Sequence, residues 1–355
     1  MSRCDIHYWK CDRPAAFHGT QELRDTDPLI EPQLREAMRE RMQAKEIELT
    51  PASSQGNHLT WKAVVDGVPL FVRVENGPDG DDYLEMESAV MRQARAAGVL
   101  VPKVAAVDAS RTRVPFAWQA QEHIPFPDLN HWHKQGRLDV AHVAFEIGVA
   151  VARWQSINPS GFGPFARENA GFHARYEDYF RLRLEQHLGF LVAKAFLTVG
   201  QREEIERAIA AHDELLDLAH GCLVHKDLAL WNILGSENRI AAFIDFDDAI
   251  SGDPMDDLSL LACFHDAAFL APAFAGYRSV RPLPENYRRR FWLHLLRNMI
   301  VKSVIRVGAG YFERDDGFFL INAGGSGGEL RQMTQQRLAL ALRGLESDAD
   351  ISLLL

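Results

Sequence analysis

The stretch that most constrains this chain is Leu223-Val-His-Lys-Asp-Leu-Ala-Leu-Trp-Asn-Ile-Leu234, followed by Ile244-Asp-Phe-Asp247. Leu223 and Val224 read as a brief apolar strand, and Asp227 to Trp231 as a loop. Ile233-Leu234 and Ile240 to Ile244 read as the two arms of a hairpin around the turn Gly235-Ser-Glu-Asn238. Asn232 opens that hairpin and Asp245 closes it, so the strand pair folds the second back beside the first. Short apolar strands flank the loop and place Asp227 at the mouth of a packed layer.

That order of parts carries chemistry. Kinases build a phosphoryl-transfer centre from one carboxylate that orients the attacking hydroxyl and from an Asn and an Asp that hold magnesium on the phosphates. Magnesium needs hard oxygen ligands converging at about 2.0–2.1 Å. A bare His-x-Asp is common, and Asp and Asn favour turns for local hydrogen-bonding reasons. Asp, four residues, Asn, then a hairpin and Asp-Phe-Asp, is a much rarer combination.

With His225, Asp227, Asn232, Ile244-Asp-Phe-Asp247, Gly252-Asp-Pro254 and Asp257-Leu258 in that order, the chain resembles the aminoglycoside phosphotransferase family, with its choline kinase-like members. The resemblance implies an α+β, bilobal, protein-kinase-like fold. It implies Asp227 as catalytic base and Asn232 and Asp245 as metal ligands. It gives Asp257 a structural part, bonding the catalytic loop from the start of the next helix, and His225 an orienting one. Asp247 is left between a contact to metal or substrate and plain exposure to solvent. Lys226 stands where the family more often has a small residue, which bears on how open the loop is on that side.

The activity so implied is transfer of the γ-phosphoryl of ATP or GTP, with Mg2+, to a hydroxyl of an aminoglycoside- or aminocyclitol-like small molecule. Two alternatives stand beside it: a metabolite kinase for choline, homoserine, thiamine or a sugar, and a nucleotide-binding pseudokinase. Intact Asp227, Asn232 and Asp245 argue against the pseudokinase. A protein kinase is disfavoured because no Ala-Pro-Glu follows Asp245 and Gly252-Asp-Pro254 leaves no room for an activation loop.

The small lobe reads from local pattern. Glu31 to Lys45 is helical in composition. Ile47-Glu-Leu49, Leu59 to Val65 and Val68 to Val74 form a meander, with Asp66-Gly67 a strong hairpin turn. Tyr83 to Ala97 is a helix stopped by Gly98, and Val101 to Val107 and Phe116 to Gln121 are two more strands. Three elements there are assigned to the nucleotide. Ser53, Ser54 and Gly56, between two strands, sit where a phosphate-covering loop belongs. Arg73 lies on an apolar strand and needs a partner, because unpaired buried charge is costly. Glu87 on the following helix supplies one, so that the pair aims a guanidinium at the phosphates as Lys–Glu pairs do in kinases. Glu122 and Ile124, in the hinge Glu122-His-Ile-Pro125, complete the nucleotide-binding set.

The resulting division is an N-terminal arm over 1–28, a nucleotide-binding lobe over 29–122 and a mainly helical lobe over 123–355 carrying the catalytic loop and substrate site. Helices are expected over Leu138–Ile157, Tyr176–Val199, Gln201–Ala219, Asp256–Phe269, Glu285–Val307 and Glu329–Leu345. Arg73 in place of the usual Lys, and Ser160-Gly-Phe-Gly-Pro-Phe165, resemble members of the hygromycin B phosphotransferase type. Trp154-Gln155 replaces the Leu-His that ends the same helix in many relatives, with consequences expected on the substrate side. Gly324 to Gly328 reads as a flexible loop.

Bulk properties narrow the partners. Hydrophobic residues make up 47% of 355, enough for a sizeable core. The formal charge of −10 disfavours a nucleic-acid partner, which wants a basic face, and weakly favours a cationic substrate. Arg288-Arg-Arg290 reads as a solvated helix face. Cys4, Cys11, Cys222 and Cys263 form no CxxC, which points to a reducing, cytoplasmic setting. Cys4, His7, Cys11 and His18 make a zinc set on paper, but their spacing matches no standard finger. No apolar run has the length of a membrane helix, and Met1 to Trp9 lacks a signal-peptide core.

Overall fold

The computed structural model describes residues 8–12, 28–52, 58–75, 82–315 and 325–354. Asp66 and Gly67 both take positive φ, +47° and +81°. That is the two-residue turn whose twist matches a hairpin. It joins β2 to β3 with Val65 opposite Val68. Around it the small lobe assembles from α1 (Ile30–Met42), β1 (Ile47–Pro51), β2 (His58–Val65), β3 (Val68–Glu75), α2 (Tyr83–Ala96), β4 (Val104–Asp108) and β5 (Trp118–Glu122). The five strands form one antiparallel sheet in the order β1-β2-β3-β5-β4. Alternate residues such as Trp61, Val72, Val74, Trp118 and Ala120 fill one core with Leu34 and Met38 of α1. β4 starts later than the Val101 expected from sequence, because Pro102 lacks the N–H that a ladder needs.

The remainder is mainly helical. It comprises α3 (Leu129–Lys134), α4 (Val140–Trp154), β6 (Phe162–Arg167), β7 (Ala170–His173), α5 (Tyr176–Phe180), α6 (Leu184–Ala193), α7 (Val199–Ala210), β8 (Cys222–Val224), β9 (Ile233–Ser236), β10 (Arg239–Phe243), β11 (Ile250–Gly252), α8 (Asp256–Leu261), α9 (Ala267–Val280), α10 (Tyr287–Gly308) and α11 (Gly327–Ser347). β9 and β10 are the hairpin legible in the sequence, while β7-β6-β11-β8 form a second small sheet. Among the described residues, no helix is long and apolar enough to cross a membrane.

Several helices differ from expectation for local reasons. The stretch from Tyr176 breaks into α5 and α6 because Arg183 takes a left-handed backbone, φ +60°. The stretch from Asp256 ends at Leu261, and a separate helix, α9, starts at Ala267 with the Asp266 side chain accepting from the Phe269 N–H. Pro272 lies inside α9, which hid it from a helical reading. The Gly-Phe-Gly-Pro stretch runs into β6, with Gly161 just before it at φ +64° and Gly163 within it at φ +79°. Gly324 lies outside the described residues; beyond it, Ser326 caps α11 in a reciprocal box with Glu329.

Candidate active site

The catalytic loop is fixed from below. Asp257, fully buried at the start of α8, accepts the His225 N–H on Oδ2 and the Lys226 N–H on Oδ1, each at 3.0 Å. Trp154 Nε1 donates to the same Oδ2 at 2.9 Å. Gln155 Nε2 donates to Pro254 O at 2.7 Å, so the Trp154-Gln155 pair lies behind the loop as scaffold. His225 Nδ1 accepts from the Asp227 N–H at 3.3 Å, and Nε2 faces Ile244 O at 3.0 Å. Those partners set Nε2 as the protonated nitrogen of a neutral ring. His225 thereby couples the loop to the residue before Asp245.

Asp227 is 3% exposed. Asn232 Nδ2 donates to its backbone O at 2.8 Å and to its Oδ2 at 3.1 Å. The amide nitrogen of Asn232 is thus committed to Asp227, which leaves the amide oxygen as the hard ligand the side chain could offer. The Ile244 N–H donates to Asn232 O at 3.0 Å and closes the hairpin base. Asp245 follows with φ +68°, a left-handed conformation that Asp tolerates better than most residues and that turns its carboxylate out of the strand. With Asp245 half-exposed, the donor set of one amide and one carboxylate oxygen fits magnesium.

Arg73 on β3 links this hairpin to the small lobe. Its Nη1 donates to both oxygens of Glu87 at 2.6 Å, and its Nη2 donates to Asp245 Oδ1 at 2.9 Å. His58 Nδ1 lies 3.0 Å from the same Nη2. Burial alone would lower the Arg73 pKa; the carboxylates of Glu87, Asp245 and Asp247 outweigh it and raise it, so the group stays charged. Glu87 also accepts the Phe246 N–H at 3.1 Å, next to Asp245. One connected network therefore contains Arg73, Glu87 and Asp245, with Asn232, bonded to Asp227, on the other strand at the same end of the hairpin. Glu122 ends β5 and accepts the Lys103 N–H at 3.1 Å; Ile124 follows it into the large lobe. Ser53, Ser54 and Gly56 lie outside the described residues.

Sequence reasoning missed three features around Asp227. Lys226 is fully buried, and its Nζ donates to Asp256 Oδ2 at 2.7 Å, Tyr8 Oη at 3.0 Å and Asn298 Oδ1 at 3.1 Å. Lys302, one turn of α10 beyond Asn298, places Nζ 3.4 Å from Asp227 Oδ1. The sequence signal was there: polar residues at i and i+4 inside an apolar helix mark an inward polar stripe. The third feature is the arm, whose Tyr8 and Trp9 are buried against these lysines.

Of the paper zinc set, Cys4, His7 and His18 lie outside the described residues. Cys11 meets Asp12 and His187 instead. His187 Nδ1 faces Arg297 Nη1 at 3.1 Å and must accept there, because a guanidinium only donates. Nε2 then carries the proton it gives to Asp12 Oδ1 at 2.7 Å, and has no lone pair for a metal.

A five-stranded sheet over a helical lobe, with Asp, Asn and Asp gathered at one hairpin, defines a phosphotransferase acting on an alcohol group. The model of the phosphotransferase enzyme family (APH) matches residues 48–292, and the chain belongs to that family. Among solved structures, the aminoglycoside phosphotransferase APH(4)-Ia superposes with a TM-score of 0.62 at 16% identity, over 88% of this chain and 98% of that one. A thermostable mutant of it, solved as a ternary complex with AMP-PNP and hygromycin B, gives 0.60 at 18%, over 88% and 98%. A fructosamine-3-kinase-like protein from Haemophilus somnus gives 0.56 at 14%, over 86% and 96%. At such identities the likeness is one of fold. No curated protein matches the sequence.

Proposed function

We propose that the chain transfers the γ-phosphoryl of ATP, or GTP, to a hydroxyl of a small molecule, with Asp227 as the base. The observation that carries this reading is the Asn232 amide, whose Nδ2 donates to the backbone oxygen and the carboxylate of Asp227 and so leaves the amide oxygen as the group it could offer a metal. Asp227 Oδ1 or Oδ2 accepts the hydroxyl proton late and mainly positions the attacking oxygen. Asn232 and Asp245 would hold magnesium, which would supply neutralisation of the charge developing on the phosphates. Arg73, aimed by Glu87, would meet the α and β phosphates; the sequence assigns Ser53, Ser54 and Gly56 to the loop over them and Glu122 and Ile124 to the nucleobase side.

For the acceptor, an aminoglycoside or aminocyclitol is the first reading, supported by family membership and by the net acidic charge. A specific observation favours the second, a metabolite kinase. The Lys302 ammonium lies 3.4 Å from Asp227 Oδ1, an unwelcoming neighbour for a polycation. The fold neighbour described as a fructosamine-3-kinase fits that reading.

The test is a coupled turnover screen with magnesium and ATP or GTP against aminoglycosides, choline, amino-alcohols and sugars. Asp227→Ala serves as control. Turnover stimulated by one compound and lost by about 10²-fold or more in the variant, with nucleotide affinity kept, establishes the kinase and its acceptor class. Full activity of Asp227→Ala overturns the assignment of the base. Nucleotide binding with no stimulated turnover moves weight to the pseudokinase.

A further inference from the structure

Residues 8–12 lie outside the segment that defines the family, 48–292. Yet Tyr8 and Trp9 are only 1% and 2% exposed. We infer that the segment Tyr8–Asp12 is a positioning clamp on the catalytic loop, fixing Lys226 and Lys302 on the two sides of Asp227. The inference rests on the reading of Asp227 as the base.

Two consecutive residues address two lysines from different elements. Tyr8 Oη accepts one of the three Lys226 ammonium protons at 3.0 Å, and Asp256 and Asn298 accept the others. Three donors thereby meet three acceptors, which fixes the side chain completely. Its backbone is left-handed, φ +67°, a conformation Lys adopts rarely. Anchoring the side chain therefore holds the peptide that leads directly into Asp227. Trp9 acts on the other flank. Its ring centre lies 4.3 Å from Lys302 Nζ, with those of Phe264 at 5.0 Å and Trp231 at 5.9 Å. Aromatic faces attract an ammonium and restrict where it can move. Confined in this way, the Lys302 Nζ stays within 3.4 Å of Asp227 Oδ1.

The segment is itself anchored. The Tyr8 N–H donates to Asp12 Oδ2 at 2.8 Å, and Asp12 Oδ1 takes the His187 proton at 2.7 Å. Tyr179 Oη donates to Tyr8 O at 3.0 Å, and the two rings stack at 4.8 Å. The Arg297 guanidinium lies 3.7 Å from the Tyr8 ring centre. Contacts this dense exceed what a passive arm needs to stay attached, and they converge on the two lysines that frame the base.

The experiment uses the full chain with Mg-ATP as probe and water as phosphoryl acceptor. It measures the part of ATP turnover that Asp227→Ala removes. Trp9→Leu is expected to lower that kcat between about tenfold and a hundredfold, with the KM for Mg-ATP within about twofold. Trp9→Phe, which keeps an aromatic face, restores most of it. Tyr8→Phe gives a smaller loss of the same kind. In an Asp227→Ala background, Trp9→Leu adds nothing further. Calorimetric binding of Mg-ATP to Trp9→Leu shows that the variant is folded. An unchanged kcat, a loss seen only as a raised KM, or a further loss in the Asp227→Ala background overturns the clamp. Turnover that Asp227→Ala leaves intact overturns the base assignment, a distinguishable result.

Discussion

Arg73 Nη2 and Asp245 Oδ1 meet at 2.9 Å, 172 residues apart in the chain. The cation assigned to the phosphates and the carboxylate assigned to the metal are therefore direct neighbours. Because Glu87 holds the other guanidinium nitrogen, the small-lobe sheet, α2 and the β9–β10 hairpin share one charged joint.

Arg73→Lys tests that joint. A guanidinium fork serves Glu87 and Asp245 at once, whereas an ammonium is a compact point charge on a flexible stem. The expected outcome is a KM for Mg-ATP raised by about tenfold, a loss of about 1.4 kcal/mol, with acceptor KM little changed. Steady-state titration against Mg-ATP measures it, and an unchanged KM removes Arg73 from the phosphate site.

Asp245→Asn keeps shape and removes charge. It is expected to shift the magnesium concentration for half-maximal turnover upward by at least about tenfold, because a neutral amide is a weaker ligand for a hard dication. An identical magnesium titration in variant and wild type refutes the assignment of Asp245 as a ligand.

Asp253 supplies a pH dependence. Burial alone would raise its pKa, but His294 at 3.4 Å, Arg290 at 2.6 Å and the Met255 N–H at 2.8 Å bring it down to about 2 from 3.8. A carboxylate depressed on folding gives stability that is complete above the unfolded pKa and is lost as pH falls through the folded one. The amount is about 2 kcal/mol, lost between about pH 4 and pH 2. Asp253→Asn is expected to be less stable at neutral pH by about 3 kcal/mol and flatter in that acid window. Denaturant melts at stepped pH compare the two slopes, and parallel slopes rule the linkage out.

Gly148 and Gly276 let α4 and α9 touch backbone to backbone. A Cβ at Gly148 would lie 1.8 Å from Ala273 O, and one at Gly276 1.9 Å from Phe145 O. Alanine improves helix propensity by about 1 kcal/mol, but overpacking against rigid backbone costs about 1–3 kcal/mol or more. Gly148→Ala is therefore expected to lower the melting temperature. A variant as stable as wild type would mean that the two helices part at little cost.

Much of the candidate site was readable because it is local. Asp227, Asn232 and Asp245 sit on one loop and one hairpin, whose turns are set by neighbouring residues. Arg73 and Glu87 are fourteen residues apart on consecutive elements, and an isolated cation in an apolar strand implied its partner. Patterns failed where the signal was mixed. Pro272 hid α9, and Arg183 broke a stretch that reads as helical.

The sequence by itself determined the local arrangement: the loop that carries Asp227, the hairpin with Asn232 and Asp245 at its two strand ends, and the Arg73 strand with Glu87 on the next helix, all through short-range spacing and turn geometry. Only the tertiary structure decided what holds Asp227 in place. Lys226 reaches Tyr8 across 218 residues and Asn298 across 72, and Lys302 reaches Asp227 across 75. Such pairings leave no periodicity or motif in the chain, because they follow from packing whole elements together and from the need of each buried charge for a partner.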